Sequence, residues 1–253
     1  SYLVLAVICL PLLSFLDLLI LTSNFWINIF FAALLDMAGT VYLVMSLSKT
    51  DLSVFGPLNA YKVVISMILA MIFIGEIPSL QGFFGVAVIV VGSYFLFPPK
   101  TTSQSRMLTL FKDKGVQYRF LSILLFSIGT LPLKTAVIEG GALATTVFWC
   151  LLGLPLAALT QWLFIKKDIT TNIAKARHNI RPFVFLGCLI FLMQYMTMLV
   201  FSQLLVAYSL ALFQLSMVLQ VFLGYRIFNE EHLWRRLSAC LVMVAGSLLV
   251  LNA

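Results

Sequence analysis

Nine continuous apolar runs constrain this chain more than any other feature: approximately 2 to 21, 26 to 47, 54 to 74, 79 to 97, 118 to 138, 141 to 164, 182 to 203, 206 to 228 and 233 to 251. About 20 mostly apolar residues in a helix cross the roughly 30 Å of hydrocarbon in a bilayer, and each run comes close to that length. None alternates apolar with polar residues, so helices are expected rather than barrel strands. Composition points the same way, with 62% hydrophobic and 10% charged residues against about 45–50% and 25% in soluble domains. The expected fold class is an all-α membrane protein, an inverted-repeat helical bundle with nine transmembrane helices visible.

The first run begins at once after Ser1, so a further segment upstream is expected. A signal peptide is disfavoured for residues 1 to 23, because no basic segment precedes the apolar core and Asp17 interrupts it. Cys9, Cys150, Cys188 and Cys240 all fall in apolar runs without paired spacing and read as buried thiols, not as disulfides or metal ligands.

Charge sets the orientation. Fourteen of the sixteen cations lie on alternate connections: Lys49; Lys100, Arg106, Lys112, Lys114 and Arg119; Lys166, Lys167, Lys175, Arg177 and Arg181; Arg226, Arg235 and Arg236. The opposite connections carry Glu76 and Glu139. By the positive-inside rule the basic loops are cytoplasmic, in a multi-pass protein of the cytoplasmic (inner) membrane. The net charge of +7 therefore serves topology, and no nucleic-acid partner is expected. Within the basic linker 98–117, "RMLTLFKDK" mixes Met107, Leu108, Leu110 and Phe111 with cations and suits either the membrane surface or a solvated connector.

That linker separates residues 1–97 from 118–253, and the two halves repeat at an offset of 154 residues. Glu76 falls on Glu230, Gly92-Ser93 on Gly246-Ser247, Leu58 on Leu212 and Ser48 on Ser202. Each half closes with a span, a short turn holding Glu, and a last span with a small-residue pair that admits a close neighbour. Five spans separate the two Glu turns, so the halves are expected to be inverted, the architecture of secondary transporters. Glu76 and Glu230, placed before the closing spans, read as helix caps first and gating residues second.

The stretch "MSLSKTDLSVFGPLNAYKVVISMILAMIFIGEIPSLQGFFGVAVIVVGSYFLF" resembles the end of an EamA-type repeat of the drug/metabolite transporter superfamily. "LALFQLSMVLQVFLGYRIFNEEHLWRRLSACLVMVAGSLLVL" resembles its second copy. The resemblance implies ten helices in two inverted five-helix halves that move small organic solutes by alternating access. Only four spans precede the linker here, so the family's first helix is expected to be absent from this sequence, by truncation or by natural design. Where many members carry proline thirteen residues before the Glu, this chain has Val63 and Met217.

Polar residues within the spans are the candidate site. A charge at the centre of a membrane helix costs about 2.5–3.5 kcal/mol, and Lys62 lies eight or nine residues inside its run. Helical spacing puts Asn59, Lys62 and Ser66 on one face. The offset maps them to Phe213, Ser216 and Gln220, so both faces are expected to line one hydrated cavity. Asp36, in the preceding antiparallel span, is the expected partner of Lys62: about 1.5 Å per residue from the shared turn puts them roughly 19 and 14 Å deep. The pair reads either as a static ion pair or as the group that binds a zwitterionic or anionic solute, with Asp36 a candidate for proton coupling. Gln194, Gln214, Gln161 and Tyr195 add hydrogen-bonding capacity; Asp17 and Lys134 are expected near span ends, Lys134 snorkelling near Glu139. Tyr61, turned about 100° from Lys62, reads as packing.

No catalytic residue, metal or cofactor is expected. A phosphate-cradling Gly-rich loop is missing from the sequence, and His178 and His232 both fall in basic connections. The expected activity is secondary transport of a small polar or amphipathic metabolite, such as an amino acid, by an exporter or exchanger. Its expected partners are the solute, the lipid bilayer, protons and a second copy in a homodimer. Two other readings compete: an intramembrane aspartic hydrolase built on Asp17 and Asp36, and a non-transporting membrane scaffold with a degenerate transporter fold.

Overall fold

A computed structural model describes residues 2–17, 21–49, 52–95, 114–164, 180–213, 215–216, 219 and 233–252, with the side chains of some of these, including 52–60, excluded. Among the described residues every regular element is helical: α1 (Tyr2–Leu12), α2 (Ser23–Leu47), α3 (Leu52–Phe73), α4 (Leu80–Phe95), α5 (Lys114–Phe164), α6 (Ile180–Gln203), α7 (Val206–Phe213) and α8 (Leu233–Leu251). Ser23–Leu47, Lys114–Thr160 and Arg181–Gln203 are long and apolar enough to cross a membrane, and Tyr2–Phe15, Tyr61–Phe73, Leu80–Gly92 and Leu241–Val250 are shorter apolar helices. Large apolar side chains stand exposed along most of them, Phe15, Phe73, Leu80, Trp162 and Phe185 among them. Such a surface is untenable in water and is the outer coat of a protein solvated by lipid.

Helix boundaries follow local chemistry. α1 ends at Leu12 and continues as a single 3-10 turn to Phe15 before Leu16 turns extended. The first run is therefore not one helix to residue 21, and Asp17 lies beyond it, exposed. α5 takes in two expected spans and breaks at Gly141, whose φ of 75° and ψ of 168° suit glycine alone. It begins at Lys114, so Arg119, read from sequence as a linker cation, is buried in its second turn. Gly75 (φ 75°) ends α3 and lets the Glu76 N–H reach back to the Ala70 carbonyl at 3.3 Å. The expected eighth span, 206 to 228, is helical through Phe213, and most of its remainder lies outside the described residues.

Two compact units form, and neither coincides with a half of the sequence. The first comprises Ser1–Ala38 and Gly129–Gln203. Within it α1 packs on α6, where Val4 fills the space left by Gly187, and Tyr2 lies against Gly153 and Trp149 of α5. Cys9 and Cys150 are buried free thiols that meet, while Cys188 is a free thiol on the exposed face of α6. Phe25 and Trp26 at the start of α2 close on Phe148 at 5.9 and 4.5 Å between ring centres, edge to face. Glu139, beside the α5 break, accepts from the Thr22 hydroxyl at 3.0 Å and from the Asn24 amide.

The second unit comprises Gly39–Ile128 and Leu204–Ala253. Its firmest pairing is α4 against α8. Buried Gly82, Gly85, Val86 and Ile89 on α4 and Met243, Gly246, Ser247 and Val250 on α8 each follow i, i+3, i+4, i+7 spacing, one stripe per helix. Gln81 donates to the Leu249 and Asn252 carbonyls, Gly85 faces Gly246 and Val250, and Ile89 faces Gly246, so the two helices run antiparallel. A Cβ on either glycine of the Gly85–Gly246 crossing would stand 2.9 Å from the other's carbonyl oxygen. Backbone meets backbone here only because both residues lack side chains.

Capping in this unit runs differently from the sequence expectation. The Ser79 hydroxyl accepts from the Gly82 N–H at 3.0 Å and caps α4. Glu76 instead accepts from the Val206 N–H at 2.6 Å, satisfying an orphan donor at the start of α7. The Tyr208 hydroxyl of α7 returns to Ser79, accepting its N–H at 3.0 Å, and occupies the place a side chain at Gly82 would need. Glu230 lies outside the described residues.

Candidate functional site

α3 is apolar enough to lie in a bilayer, and its buried stripe is Val63, Ser66, Met67 and Ala70, again at helical spacing. Lys62 sits at the edge of that stripe, half-buried. One turn further along, Ser66 is 0% exposed and its Oγ has no hydrogen-bond partner among the described residues. An unmet hydroxyl in an apolar interior costs about 1–3 kcal/mol, which marks Ser66 as a place where packing has been traded for polarity.

The wall opposite Lys62 comes from the first limb of α5. The Lys62 ammonium stands 5.1 Å from the centre of the Phe126 ring, within the range of a cation–π attraction that is worth about 0.5–2 kcal/mol depending on desolvation. Next to it the Ser127 hydroxyl reaches the Lys62 carbonyl at 3.5 Å. Phe126 lies in turn on Gly39 of α2, where a Cβ would meet the ring at 2.9 Å. The Ser122 hydroxyl donates to the Gly39 carbonyl at 2.8 Å, and the Ser46 hydroxyl to the Gly115 carbonyl at 2.7 Å, holding α2 to α5 in register. Towards the helix ends Tyr118 stacks on Tyr42 at 6.0 Å and receives the Lys49 ammonium at 5.0 Å.

The arrangement offers one cation on an aromatic floor, a buried hydroxyl and a set of serines, which suits binding of an anionic or zwitterionic group. A nucleophile with its base is not assembled there, and no group of three or more His, Cys, Asp or Glu that could hold a metal occurs among the described residues.

Of the residues singled out from sequence, Lys62 and Ser66 lie one turn apart as expected. Ser216, in the same unit, is exposed. Asp36, half-buried in α2, and Gln194, buried in α6, belong to the first unit. Gln214, Gln220, Gln161 and the side chain of Asn59 lie outside the described residues. Lys134 does not snorkel: it is 5% exposed and donates to the Phe201 carbonyl in the last turn of α6, where carbonyls have no intrahelical partner and attract cations. Sequence reasoning missed Phe126, Gly39, Ser122 and Ser127, because a phenylalanine and a glycine in apolar spans carry no signal of their own; the serines had one, since Ser122 and Ser127 interrupt an otherwise apolar run.

These helices, coated with apolar side chains and carrying buried polar groups, define a helical integral membrane protein. Residues 1–97 match the model of the EamA-like transporter family, in keeping with the resemblance to the drug/metabolite transporter superfamily, and that family consists of membrane transporters. No curated protein matches the chain.

Proposed function

We propose that this protein is a secondary transporter of a small polar or amphipathic metabolite, an amino acid being the first to test, working by alternating access as an exporter or exchanger. The observation that carries the reading is Lys62 with the Ser66 hydroxyl, partnerless among the described residues, one turn away inside an apolar helix. Polar groups placed there at a cost to insertion mark solute or ion pathways. The match of residues 1–97 to a transporter family supports it. The antiparallel run of α4 and α8, which close the two sequence halves, supports an inverted repeat. In this reading residues 1–97 and 118–253 are the two repeats joined by linker 98–117, with the basic loops on the cytoplasmic side of the inner membrane. Asn59, Lys62, Ser66, Asp36, Gln194, Gln214, Ser216 and Gln220 contribute to the pathway, with Asp36 a proton-coupling group and a homodimer the assembled form.

The hydrolase alternative draws less support. Asp17 is exposed outside any helix, and Asp36 lies more than three turns into α2, about 20 Å along the axis at 1.5 Å per residue. Two carboxylates that share a proton need closer approach.

Proteoliposomes containing the purified protein and a panel of labelled amino acids test the proposal. Saturable flux is expected, reduced in Lys62→Ala while membrane insertion persists. Absence of saturable flux for every amino acid counts against it, and peptide cleavage lost in Asp36→Asn would favour the hydrolase.

A further inference from the structure

We infer that Phe126 and Gly39 are positioning residues for Lys62: the ring of Phe126, seated on the bare backbone of Gly39, fixes where the ammonium meets a solute. The functional half of this inference rests on the transport reading above; the geometric half stands on its own.

A lysine carries its charge on a flexible four-carbon stem, so its ammonium takes its position from the groups around it. Here an aromatic face lies 5.1 Å from it, close enough to bias that position. The ring is itself held. A Cβ at position 39 would meet Cδ1 and Cε1 at 2.9 Å and Cγ at 3.2 Å, so the ring lies against Gly39 along one side and not by its tip. The Ser122 hydroxyl, bonded to the Gly39 carbonyl at 2.8 Å one turn before Phe126, prevents α2 and α5 from sliding apart to make room. Ser127, beside Phe126, touches the backbone of Lys62 itself at 3.5 Å. Three helices thus converge on one cation through contacts that are individually weak and jointly directional. A methyl group at position 39 displaces the ring, and removing the ring's π face removes its contact with the ammonium; neither change touches a charge.

Two readouts separate geometry from function. Reductive methylation with 13C-labelled formaldehyde places dimethylamino probes on the lysines; the Lys62 signal is identified by its loss in Lys62→Arg. That signal is expected upfield of the other lysines from the ring current, to return to the ordinary position in Phe126→Leu, and to stay upfield in Phe126→Tyr. In proteoliposomes, with the labelled amino acid giving the highest flux, Phe126→Leu is expected to raise KM about fivefold, the loss of one cation–π contact, with the maximal rate little changed. Phe126→Tyr retains the wild-type KM, and Gly39→Ala shifts both the signal and KM. An unshifted Lys62 signal in the wild type overturns the geometry. A shifted signal with KM unchanged in Phe126→Leu overturns the positioning role and leaves transport standing. Wild-type protein that moves no amino acid overturns the transport reading and with it the functional half, whatever the spectrum shows.

Discussion

Among the described residues, Lys62 and Lys134 are the two lysines in the interior of apolar helices, and their surroundings differ in kind. Lys134, in the first unit, is almost wholly buried and gives a hydrogen bond to the carbonyl of Phe201, in the last turn of α6. Its charge closes a helix terminus, a structural need that any such end presents. Lys62, in the second unit, is half-buried in the interior of α3, against an aromatic ring and one turn from a serine with no partner among the described residues. The two charges therefore differ in what they face: a carbonyl in the last turn of a helix for Lys134, an aromatic ring for Lys62.

If that contrast is right, stability and transport should respond in opposite order. The scale is set by a place with no charge at all: Gly246→Leu forces a side chain between backbones already in contact, and a loss of about 3 kcal/mol or more is expected, read as failure to recover monodisperse protein in detergent. Lys134→Met, which keeps the stem and removes the charge, should cost about 2 kcal/mol through the lost charged hydrogen bond, measured as a lowered unfolding temperature. Lys62→Ala should change that temperature by little, under about 1 kcal/mol, while lowering flux about tenfold, the worth of one charged contact to solute. A large drop in stability in Lys62→Ala would erase the difference between the two lysines. The smallest effect belongs to Ser66→Ala, where removal of an unmet buried hydroxyl should leave the empty protein as stable or about 0.5–1 kcal/mol more so. Lower stability in that variant would mean that Ser66 has a structural partner.

Much of the helix pattern was legible along the chain, since apolar length alone decides where a helix can lie in lipid. α2, α3, α4 and α6 begin and end within a few residues of the expected runs, and the break between the fifth and sixth runs falls at Gly141, where glycines stand beside Glu139. α1 departed because Asp17 and the preceding turn end the helix early. Arg119 departed because it lies within α5, which runs from Lys114, and is buried there instead of standing on an exposed connection. In the site, Lys62 and Ser66 announced themselves by being polar where polarity is costly. Phe126 and Gly39 did not, because their role arises from which helix faces them.

The sequence by itself determined that the chain is a set of apolar helices, three of them among the described residues long enough to cross a membrane, with polar residues inside them, because the apolar length of a helix is a property of each segment alone. Tertiary structure decided the partners: Glu76 caps α7 instead of α4, Lys134 meets the end of α6, and Gly39, Phe126 and Lys62 stack across three helices. Each partnership joins residues far apart in the chain, and the packing of one helix on another, which no single segment encodes, brings them within reach.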